Sequence, residues 1–302
     1  MRFVVTGGAG FIGSNIVKLL VQNKHEVIVI DNLHTGKKEN LQSISDKIDF
    51  YEVDIRNKEK LRQIIKNCDG IFHQAALTIV SESFKIPDEY NDVNVLGTKN
   101  IFEIAQEQNL KVVFASSSSI YGNVNKIPIS EDFKKNPINP YGKTKLDNEI
   151  LAEDFRNKNC KIVGLRYFNV FGIGQTGSYA GVITKFMNAL SIGESPIIFG
   201  DGEQIRDFVF VEDVAKANLA VMINNLDFGF LNVGTGKTIS IKNLAHLMIQ
   251  IYHLDLNPKY EQPLPGDVKQ SQADTSKINN LIGWKYDTEL EDGLKSIVKN
   301  EI

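Results

Sequence analysis

Residues 2–14 read RFVVTGGAGFIGS, an apolar run followed by a glycine-rich turn and the first residues of an amphipathic stretch. The run Arg2–Thr6 has the β-branched and aromatic content of a buried strand. Apolar residues then recur at helical spacing over Phe11–Gln22. The chain therefore opens with a strand, a tight turn and a helix, which is the beginning of a β-α-β unit.

The three glycines of this turn have separate uses. Gly7 permits the tight bend, Gly10 allows a pyrophosphate to approach the backbone, and Gly13 brings the helix against the sheet. The helix N-terminus then offers free N–H groups to phosphates. The spacing is G-x-x-G-x-x-G, and a glycine turn alone predicts no more than a bend. In a strand–turn–helix context it predicts a dinucleotide site, which also includes Phe11 and Ile12.

Asp31 ends the second predicted strand, where a carboxylate can accept hydrogen bonds from an adenosine ribose. Lys37 and Lys38 follow closely and could hold the 2′-phosphate of NADP instead. Because Asp31 would repel that phosphate, the sequence favours NAD as the cofactor.

The rest of the N-terminal half alternates short apolar runs with amphipathic stretches. The other predicted strands are Glu26–Asp31, Phe50–Asp54, Gly70–Gln74, Val112–Ser116 and Lys161–Tyr167. The other predicted helices are Lys58–Asn67, Pro87–Gln108, Tyr141–Arg156 and, further on, Ile241–Tyr252. This alternation predicts an α/β fold, a doubly wound parallel sheet of the Rossmann type with right-handed crossovers.

The alternation ends after about Phe171, where loops rich in Gly, Pro and Ser appear. We expect a smaller C-terminal α/β lobe that binds the substrate and closes over the cofactor domain. The predicted NAD-binding domain is residues 1–170, rejoined by about 207–233. The predicted substrate-binding lobe is residues 171–206 and 234–302.

Composition excludes several classes of function. A net charge of −3 gives no electrostatic case for binding nucleic acid or an acidic membrane surface. Two distant cysteines, Cys68 and Cys160, predict neither a disulfide nor a zinc framework, and the five histidines lack metal-ligand spacing, so we expect no metal. No signal peptide or membrane-spanning run is expected, which predicts a soluble cytoplasmic protein.

Tyr141 and Lys145 lie four residues apart near the start of a predicted helix and therefore share one face. By itself this pair is common in helices and is often merely exposed. Its position after the fifth strand suggests that Tyr141 is a catalytic base and that Lys145 lowers the pKa of its phenol. A tyrosine base must lower a pKa of about 10 by about three units, which requires about 4 kcal/mol. A lysine cation about 4 Å away would supply about that much at an effective dielectric constant near 20.

A run of serines, Ser116–Ser119, leaves the fifth predicted strand. Ligands of open α/β sheets bind beyond the carboxyl ends of the strands, so a hydroxyl here can face the reacting carbon. The alternative is a flexible polar turn, and the position just past a strand end favours a functional serine.

The chain resembles the extended short-chain dehydrogenases/reductases of the NAD-dependent epimerase/dehydratase family, most closely the UDP-glucose 4-epimerase-like enzymes. The resemblance runs from Arg2 to about Trp284. Its motifs in this sequence are TGGAGFIGS, DNLHTG, VDIRN, HQAA, NVLGT, SSSSIYG, NPYGKTK, LRYFNVFG, GDGEQIRDFVFVEDV, NVGTG and PGDV.

The resemblance implies a catalytic set of Ser117, Tyr141 and Lys145, with Tyr141 as the base and Lys145 also binding the cofactor ribose. It further implies a cofactor site made of Gly7, Gly10, Phe11, Ile12, Gly13, Asp31, Asn32, Thr35, Gly36, Asp54, Ile55, Ala75, Ala76, Asn94, Tyr141, Lys145 and Phe168. The implied substrate-binding residues are Ser83, Ser117, Asn169, Val182, Arg206, Asp267 and Ser271. Asn169 and Arg206 would hold the diphosphate, and Ser271 would lie near the sugar.

The activity implied is reversible inversion at C4 of a UDP-hexose through transient oxidation by tightly bound NAD. The substrate pair would be UDP-glucose and UDP-galactose, with room beside Ser271 for the N-acetylated pair. A homodimer through Pro87–Gln108 and Tyr141–Arg156 is also implied.

Two departures from the family pattern matter. Leu264 stands where the family often has a phosphate-binding arginine, and Lys269 could replace that contact. Ser118 and Ser119 stand where the 4,6-dehydratases carry Asp-Glu. Alternatives remain open: an enzyme of UDP-glucuronate epimerisation or decarboxylation, a 4,6-dehydratase, or an NAD-sensing scaffold without catalysis.

Overall fold

The computed structural model describes residues 1–175, 181–263 and 268–301, and its elements alternate as the sequence predicts up to residue 167. The strands are β1 Arg2–Thr6, β2 Glu26–Asp31, β3 Ile48–Glu52, β4 Gly70–His73, β5 Lys111–Ser117, β6 Ile162–Tyr167, β7 Asn169–Phe171, β8 Ile197–Phe199, β9 Ile205–Arg206, β10 Phe208–Phe210, β11 Phe228–Val233, β12 Ile239–Ser240 and β13 Lys259–Glu261. The helices are α1 Phe11–Gln22, α2 Lys58–Ile64, α3 Val80–Ser83, α4 Pro87–Asn91, α5 Gly97–Gln108, α6 Pro140–Arg156, α7 Val182–Ser191, α8 Val211–Ile223, α9 Ile241–Ile251, α10 Ser276–Ile282 and α11 Leu290–Glu301.

A seven-stranded sheet in the order β11-β6-β5-β4-β1-β2-β3 forms the centre of the molecule. All neighbouring strands in it are parallel. The chain winds outward from β1 to β3 and then returns to β4 on the other side of β1. The carboxyl ends of β1 and β4 therefore border the crevice in which such sheets bind ligands. The predicted doubly wound α/β fold is confirmed.

Several predicted elements keep their bounds, and others shift for identifiable reasons. β1, β2 and α1 begin and end where the sequence predicts. β3 starts two residues early because Ile48 already pairs with Val27. The helix predicted over Pro87–Gln108 is continuous but contains a π-helical turn at Asp92–Leu96, which no periodicity in the sequence signals.

Helices cover both faces of the sheet. One core packs α1 and α8 against the sheet, with Ile16 and Leu20 meeting Val214 and Val221. The other core packs α2, α4, α5 and α6, since their buried residues belong to one cluster around Phe102. Burial on both faces explains why β1, β2, β4 and β6 are largely apolar runs rather than alternating strands.

A third core lies in the C-terminal part of the chain. It is formed by α7, α9 and α11 around residues such as Phe186, Leu244 and Leu294. Ile278 and Trp284, which lie in the chain segment predicted to belong to this lobe, are buried in the first core. No helix in the described part of the chain is long and apolar enough to cross a membrane.

Candidate active site

A cavity opens at the carboxyl end of the sheet where the strand order reverses. The predicted site residues that line it are Gly7, Gly10, Phe11, Ile12, Gly13, Asp31, Asn32, Thr35, Ile55, Ala75, Ala76, Ser117, Tyr141, Lys145 and Phe168. The dinucleotide turn and the Tyr–Lys pair, which are 128 or more residues apart in the sequence, therefore face one space.

The glycine-rich turn leaves room for a ligand only because it lacks side chains. Gly7 has a φ of +66°, and a Cβ there would lie 2.6 Å from the backbone nitrogen of Ala75. A Cβ on Gly13 would overlap the carbonyl oxygen of Gly7. Both positions therefore require glycine, and the bare backbone beside the start of α1 fits a dinucleotide pyrophosphate.

Asp31 lines the cavity and is buried. One carboxylate oxygen accepts from the backbone N–H of Ala9 at 2.9 Å and the other from that of Leu33 at 2.8 Å. Burial raises the pKa of Asp31, while these two hydrogen bonds act in the opposite direction. Gly36 does not line the cavity, but a Cβ there would approach the Asp31 carboxylate within 2.7 Å.

In the part of the cavity expected to bind the adenine, a charged pair lies behind the cavity wall. Ile55 and Arg56 line the cavity, whereas Asp54 does not. Asp54 accepts two hydrogen bonds from the Arg56 guanidinium, at 2.9 and 2.8 Å, and one from Asn32 at 3.0 Å. These contacts, chiefly those of Arg56, lower the pKa of Asp54 to about 2. Asp54 thus remains an anion that orients the two neighbouring side chains.

The predicted catalytic residues come from two elements that meet at the cavity. Ser117 ends β5, and Tyr141 and Lys145 lie on the first turns of α6. The Nζ of Lys145 donates to the carbonyl oxygen of Ala115 at 2.9 Å and lies 5.8 Å from the centre of the Tyr141 ring. The Ser117 hydroxyl donates to Ser119 at 3.0 Å. A phenol, an ammonium and a hydroxyl thus border the place where strand β5 ends.

The pKa of Tyr141 differs from the sequence expectation. Burial raises it, and the hydrogen bond with Ser117 lowers it only in part. Burial also lowers the pKa of Lys145 to about 8. Burial thus acts against the lowering of the phenol pKa that the sequence predicts, because desolvation penalises both charged forms.

Asn94 does not reach the cavity, contrary to the sequence expectation. It is fully buried, and its amide donates to the Leu77 carbonyl at 2.9 Å and to the Thr144 hydroxyl at 3.1 Å. Its oxygen accepts from the Leu77 N–H at 2.8 Å. Every hydrogen of this side-chain amide is occupied by protein partners, so Asn94 positions Leu77, which does line the cavity.

Within the described part of the chain, the predicted substrate residues other than Ser117 lie outside the cavity lining. Asn169 donates to the Asp207 carbonyl at 3.1 Å. Arg206 and Ser271 are neighbours, since the Ser271 N–H donates to the Ile205 carbonyl at 3.2 Å.

Three more predicted substrate residues have other surroundings. Ser83 is fully buried, and its hydroxyl donates to the Val80 carbonyl at 2.6 Å, which removes it from contact with a ligand. Val182 begins α7 and packs against the third core. Asp267, like Leu264 beside it, lies outside the described residues.

Gln74 and Tyr167 are among the polar side chains of the cavity wall that sequence reasoning missed. The Tyr167 hydroxyl contacts the Gln74 side-chain oxygen at 3.2 Å and Asn218 at 3.0 Å. Burial raises the pKa of Tyr167 far above its usual range, so it stays neutral. Both residues lie in stretches that carry the family resemblance, Gln74 in HQAA and Tyr167 in LRYFNVFG. Neither belongs to a motif with its own spacing rule, so the sequence did not single them out.

Within residues 1–175, 181–263 and 268–301, no three His, Cys, Asp or Glu side chains are grouped so that they could hold an ion.

Comparison with known proteins relates the whole chain to one group. Residues 3–234 match the model of the NAD dependent epimerase/dehydratase family. A UDP-glucose 4-epimerase of Dictyostelium discoideum is 33% identical over 312 residues, which cover 94% of this chain and 91% of that protein.

Two solved structures superpose closely. One is the UDP-N-acetylglucosamine 4-epimerase from Methanobrevibacter ruminantium in complex with UDP-N-acetylmuramic acid, with a TM-score of 0.95, 38% identity and coverage of 99% of this chain and 97% of that one. The other is the UDP-glucose 4-epimerase from Thermotoga maritima with UDP-glucose, with a TM-score of 0.94, 37% identity and coverage of 99% and 98%.

Proposed function

The chain belongs to the NAD-dependent epimerase/dehydratase family, and from this membership we propose that it is a nucleotide-sugar 4-epimerase that inverts C4 of a UDP-hexose. The observation that carries the proposal is the meeting of Ser117, Tyr141 and Lys145 with the glycine-rich turn in one cavity. A base beside a dinucleotide site suits hydride transfer to and from an alcohol carbon. NAD is the cofactor, and Asp31 supports its ribose.

The reaction assigns each residue a defined task. Tyr141, as the phenolate, takes the proton from the sugar O4. NAD bound in this cavity would supply the hydride chemistry, as acceptor of the C4 hydride and then as donor to the opposite face of the 4-keto sugar. Lys145 is anchored by Ala115, and its remaining hydrogens can bind the cofactor ribose. Its charge, together with that of the nicotinamide, opposes the burial that raises the pKa of Tyr141.

Binding of the UDP diphosphate is assigned to Asn169 and Arg206. A guanidinium grips two phosphate oxygens at once, which suits a diphosphate. Arg206 lies on β9, and the backbone of the adjacent Ile205 hydrogen-bonds to Lys269 and Ser271. Movement of β9 onto the nucleotide would therefore carry the 269–271 segment with it.

Substrate breadth rests on Ser271. A serine near the sugar leaves space for an N-acetyl group at C2, whereas a bulky aromatic side chain would exclude it. We therefore propose that both UDP-glucose/UDP-galactose and the N-acetylated pair are substrates. The two solved relatives are a UDP-N-acetylglucosamine 4-epimerase and a UDP-glucose 4-epimerase, one for each kind of sugar.

The dehydratase alternative finds little support at the site. Water loss needs an acid and a base near the catalytic hydroxyl, and Ser118 and Ser119 cannot perform that work near neutral pH. Ser119 instead receives the hydroxyl hydrogen bond of Ser117 and donates its N–H back to it at 3.1 Å. Enzymes of UDP-glucuronate remain distinguishable by product, as an epimer or a decarboxylated pentose.

The test of the proposed function is NMR of the purified protein with a panel of UDP-sugars and no added reductant. We expect C4 epimers to accumulate until equilibrium is reached. A dehydrated keto sugar or a decarboxylated pentose would replace the proposal with the corresponding alternative. NAD-containing protein that converts none of the panel would indicate a non-catalytic NAD-binding protein.

Ser271→Tyr tests the substrate assignment separately. We expect kcat/KM to fall for the N-acetylated pair and to stay near the wild-type value for UDP-glucose and UDP-galactose, because steric exclusion acts only on the larger substrate. Ser271→Ala, which adds no bulk, is the matched control. Equal losses for both pairs in the tyrosine variant would show that Ser271 does not select the substrate.

We propose a cytoplasmic homodimer. Exposed apolar side chains on the surface of α3 to α6, among them Phe84, Leu96 and Ile150, support an interface there. Two free cysteines fit a reducing compartment.

A further inference from the structure

A run of buried hydrogen bonds begins at Thr6, directly before the glycine-rich turn. The Thr6 hydroxyl lies 2.6 Å from Nδ1 of His73, and Nε2 of His73 lies 2.8 Å from the hydroxyl of Thr98. The Thr98 hydroxyl donates to the carbonyl oxygen of Asn94 at 2.6 Å. All four side chains are at most 3% exposed. This half of the run links β1, β4 and α5.

The directions of these hydrogen bonds are fixed by counting hydrogens. Thr98 has one hydroxyl hydrogen and gives it to Asn94, so it must accept from Nε2–H of His73. Burial and the charge of Lys145 lower the pKa of His73 to about 3, so the imidazole is neutral near pH 7. Nδ1 therefore carries no hydrogen and accepts from Thr6.

The second half of the run begins on the side chain of Asn94 and ends at the proposed base. The Asn94 amide donates to the Thr144 hydroxyl at 3.1 Å, and that hydroxyl donates to the backbone carbonyl of Tyr141 at 2.8 Å. Thr144 is buried and lies between Tyr141 and Lys145 on α6. Each hydroxyl in the run accepts one hydrogen bond and donates one.

We propose that His73, Thr98, Asn94 and Thr144 are positioning residues that hold the catalytic helix α6 at a fixed place relative to the dinucleotide turn. The proposal rests on the proposed function, in which Tyr141 is the base and the turn binds NAD. None of the four contacts the cavity, so they act through Thr6, Leu77 and Tyr141.

The π-helical turn at Asp92–Leu96 makes this arrangement possible. It contains Asn94, whose backbone carbonyl faces Thr98 while its side chain reaches α6 and the Leu77 segment. An inserted residue of this kind re-aims a side chain, and such turns are frequent at functional sites. Asn94 therefore joins the half of the run that begins at Thr6, before the dinucleotide turn, to the half that ends at Tyr141.

The test separates the effect of side-chain shape from that of side-chain hydrogen bonding, at both ends of the run. Thr144→Val and Thr98→Val keep the side-chain shape and remove the hydroxyl, whereas Thr144→Ser and Thr98→Ser keep the hydroxyl. We expect each valine variant to lower kcat about tenfold and each serine variant to stay within about twofold, since the serines preserve the run. Ile104→Val, a buried change on the same helix α5 as Thr98, controls for loss of stability and should leave kcat unchanged.

The rate of NAD release provides a second readout, separate from kcat, for the coupling between the two ends of the run. Thr144→Val lies at the catalytic end, yet we expect it to speed NAD release, and Thr98→Val at the cofactor end should lower kcat. In the Thr98→Val/Thr144→Val double variant, the fold-change in kcat should match the larger single change rather than the product of both. Multiplied losses, of about a hundredfold, would overturn the proposal.

Other outcomes also decide it. Valine variants with wild-type kcat and wild-type NAD release would show that the run is only structural. If Thr144→Val does not fold, Thr144→Ala repeats the test without placing a larger apolar group beside the Asn94 amide. If the wild-type protein holds NAD but converts no sugar, the proposed function fails, and NAD release from the same variants still tests the coupling.

Discussion

Asp31 uses its two carboxylate oxygens to accept backbone N–H groups, and each oxygen keeps a lone pair for a ribose hydroxyl. We expect Asp31→Ala to weaken NAD binding and to relax discrimination against NADP, because the variant lacks both the acceptor and the negative charge. Titration of the cofactor-free protein with both dinucleotides measures the two affinities.

Lys38 sharpens the same prediction. Its ammonium lies 3.2 Å from the Glu52 carboxylate. The lysine charge is therefore paired with that carboxylate rather than directed at the ribose. Lys38→Ala should therefore leave the preference for NAD intact. Wild-type protein that bound NADP as tightly as NAD would refute the role given to Asp31 and would point to Lys37.

Tyr141 is the residue on which turnover should depend most. Tyr141→Phe removes the proton acceptor but almost no volume, so we expect folding and NAD binding to persist while kcat falls by at least about 10²-fold. Tyr260→Phe, a change at an exposed tyrosine on β13, is the control and should have no effect. Near-normal epimerisation by the phenylalanine variant would mean that another group is the base.

Among the elements, β1, β4 and α5 meet at a histidine that folding keeps neutral. The pKa of His73 falls from about 6.5 in an unfolded chain to about 3 in the folded protein. The unfolded state therefore binds one more proton between these values. The stability associated with neutral His73 is fully present above pH 6.5 and is lost as the pH falls toward 3.

This difference can be measured by urea unfolding at pH 7.5 and 5.5. His73 should account for about 1.4 kcal/mol of the wild-type loss in unfolding free energy between the two. His73→Gln should be less stable at pH 7.5 and should lose correspondingly less on acidification. An equal loss in both proteins would show that His73 is already protonated when folded.

How far the sequence predicts an element depends on where the determinants lie. β1 and α1 were predictable to the residue because their strand–turn–helix signals are local. β7 and β10 pair with each other, although 36 residues separate their ends, and only tertiary packing creates that contact. The π-helical turn at Asp92–Leu96 was invisible for the same reason, since its inserted residue serves side chains on other elements.

The site residues likewise divide into those that local sequence signals predict and those that only tertiary contacts place. Asp31, Tyr141 and Lys145 follow from motif spacing and the rule for strand ends. Gln74 and Tyr167 enter the cavity wall through contacts with each other and with Asn218, which lies 51 residues beyond Tyr167 in the chain. Asn94 was assigned by resemblance to the cofactor, whereas burial directs it to Leu77 and Thr144.

For the whole molecule, the exposed apolar residues near α4 to α6 predict the mode of association. Leu96 is 48% exposed and Ile150 53%. We expect Leu96→Glu/Ile150→Glu to convert a homodimer into monomers in sedimentation equilibrium, because the charges would be buried without partners. Ile223→Glu, at the C-terminal end of α8 where the side chain is 61% exposed, should remain dimeric. A wild-type monomer would contradict the proposed interface.

The last strand of the sheet, β11, and the last members of the first core, Ile278 and Trp284, come from the final third of the chain. During synthesis on the ribosome, β6 is an unpaired edge until β11 has been made. The apolar face of α1 is likewise uncovered until α8 and α10 have been made. Unpaired edges and bare apolar faces bind other chains. We therefore expect the nascent chain to be prone to association until the region around residue 284 has emerged, and a fragment that stops near residue 170 to remain so.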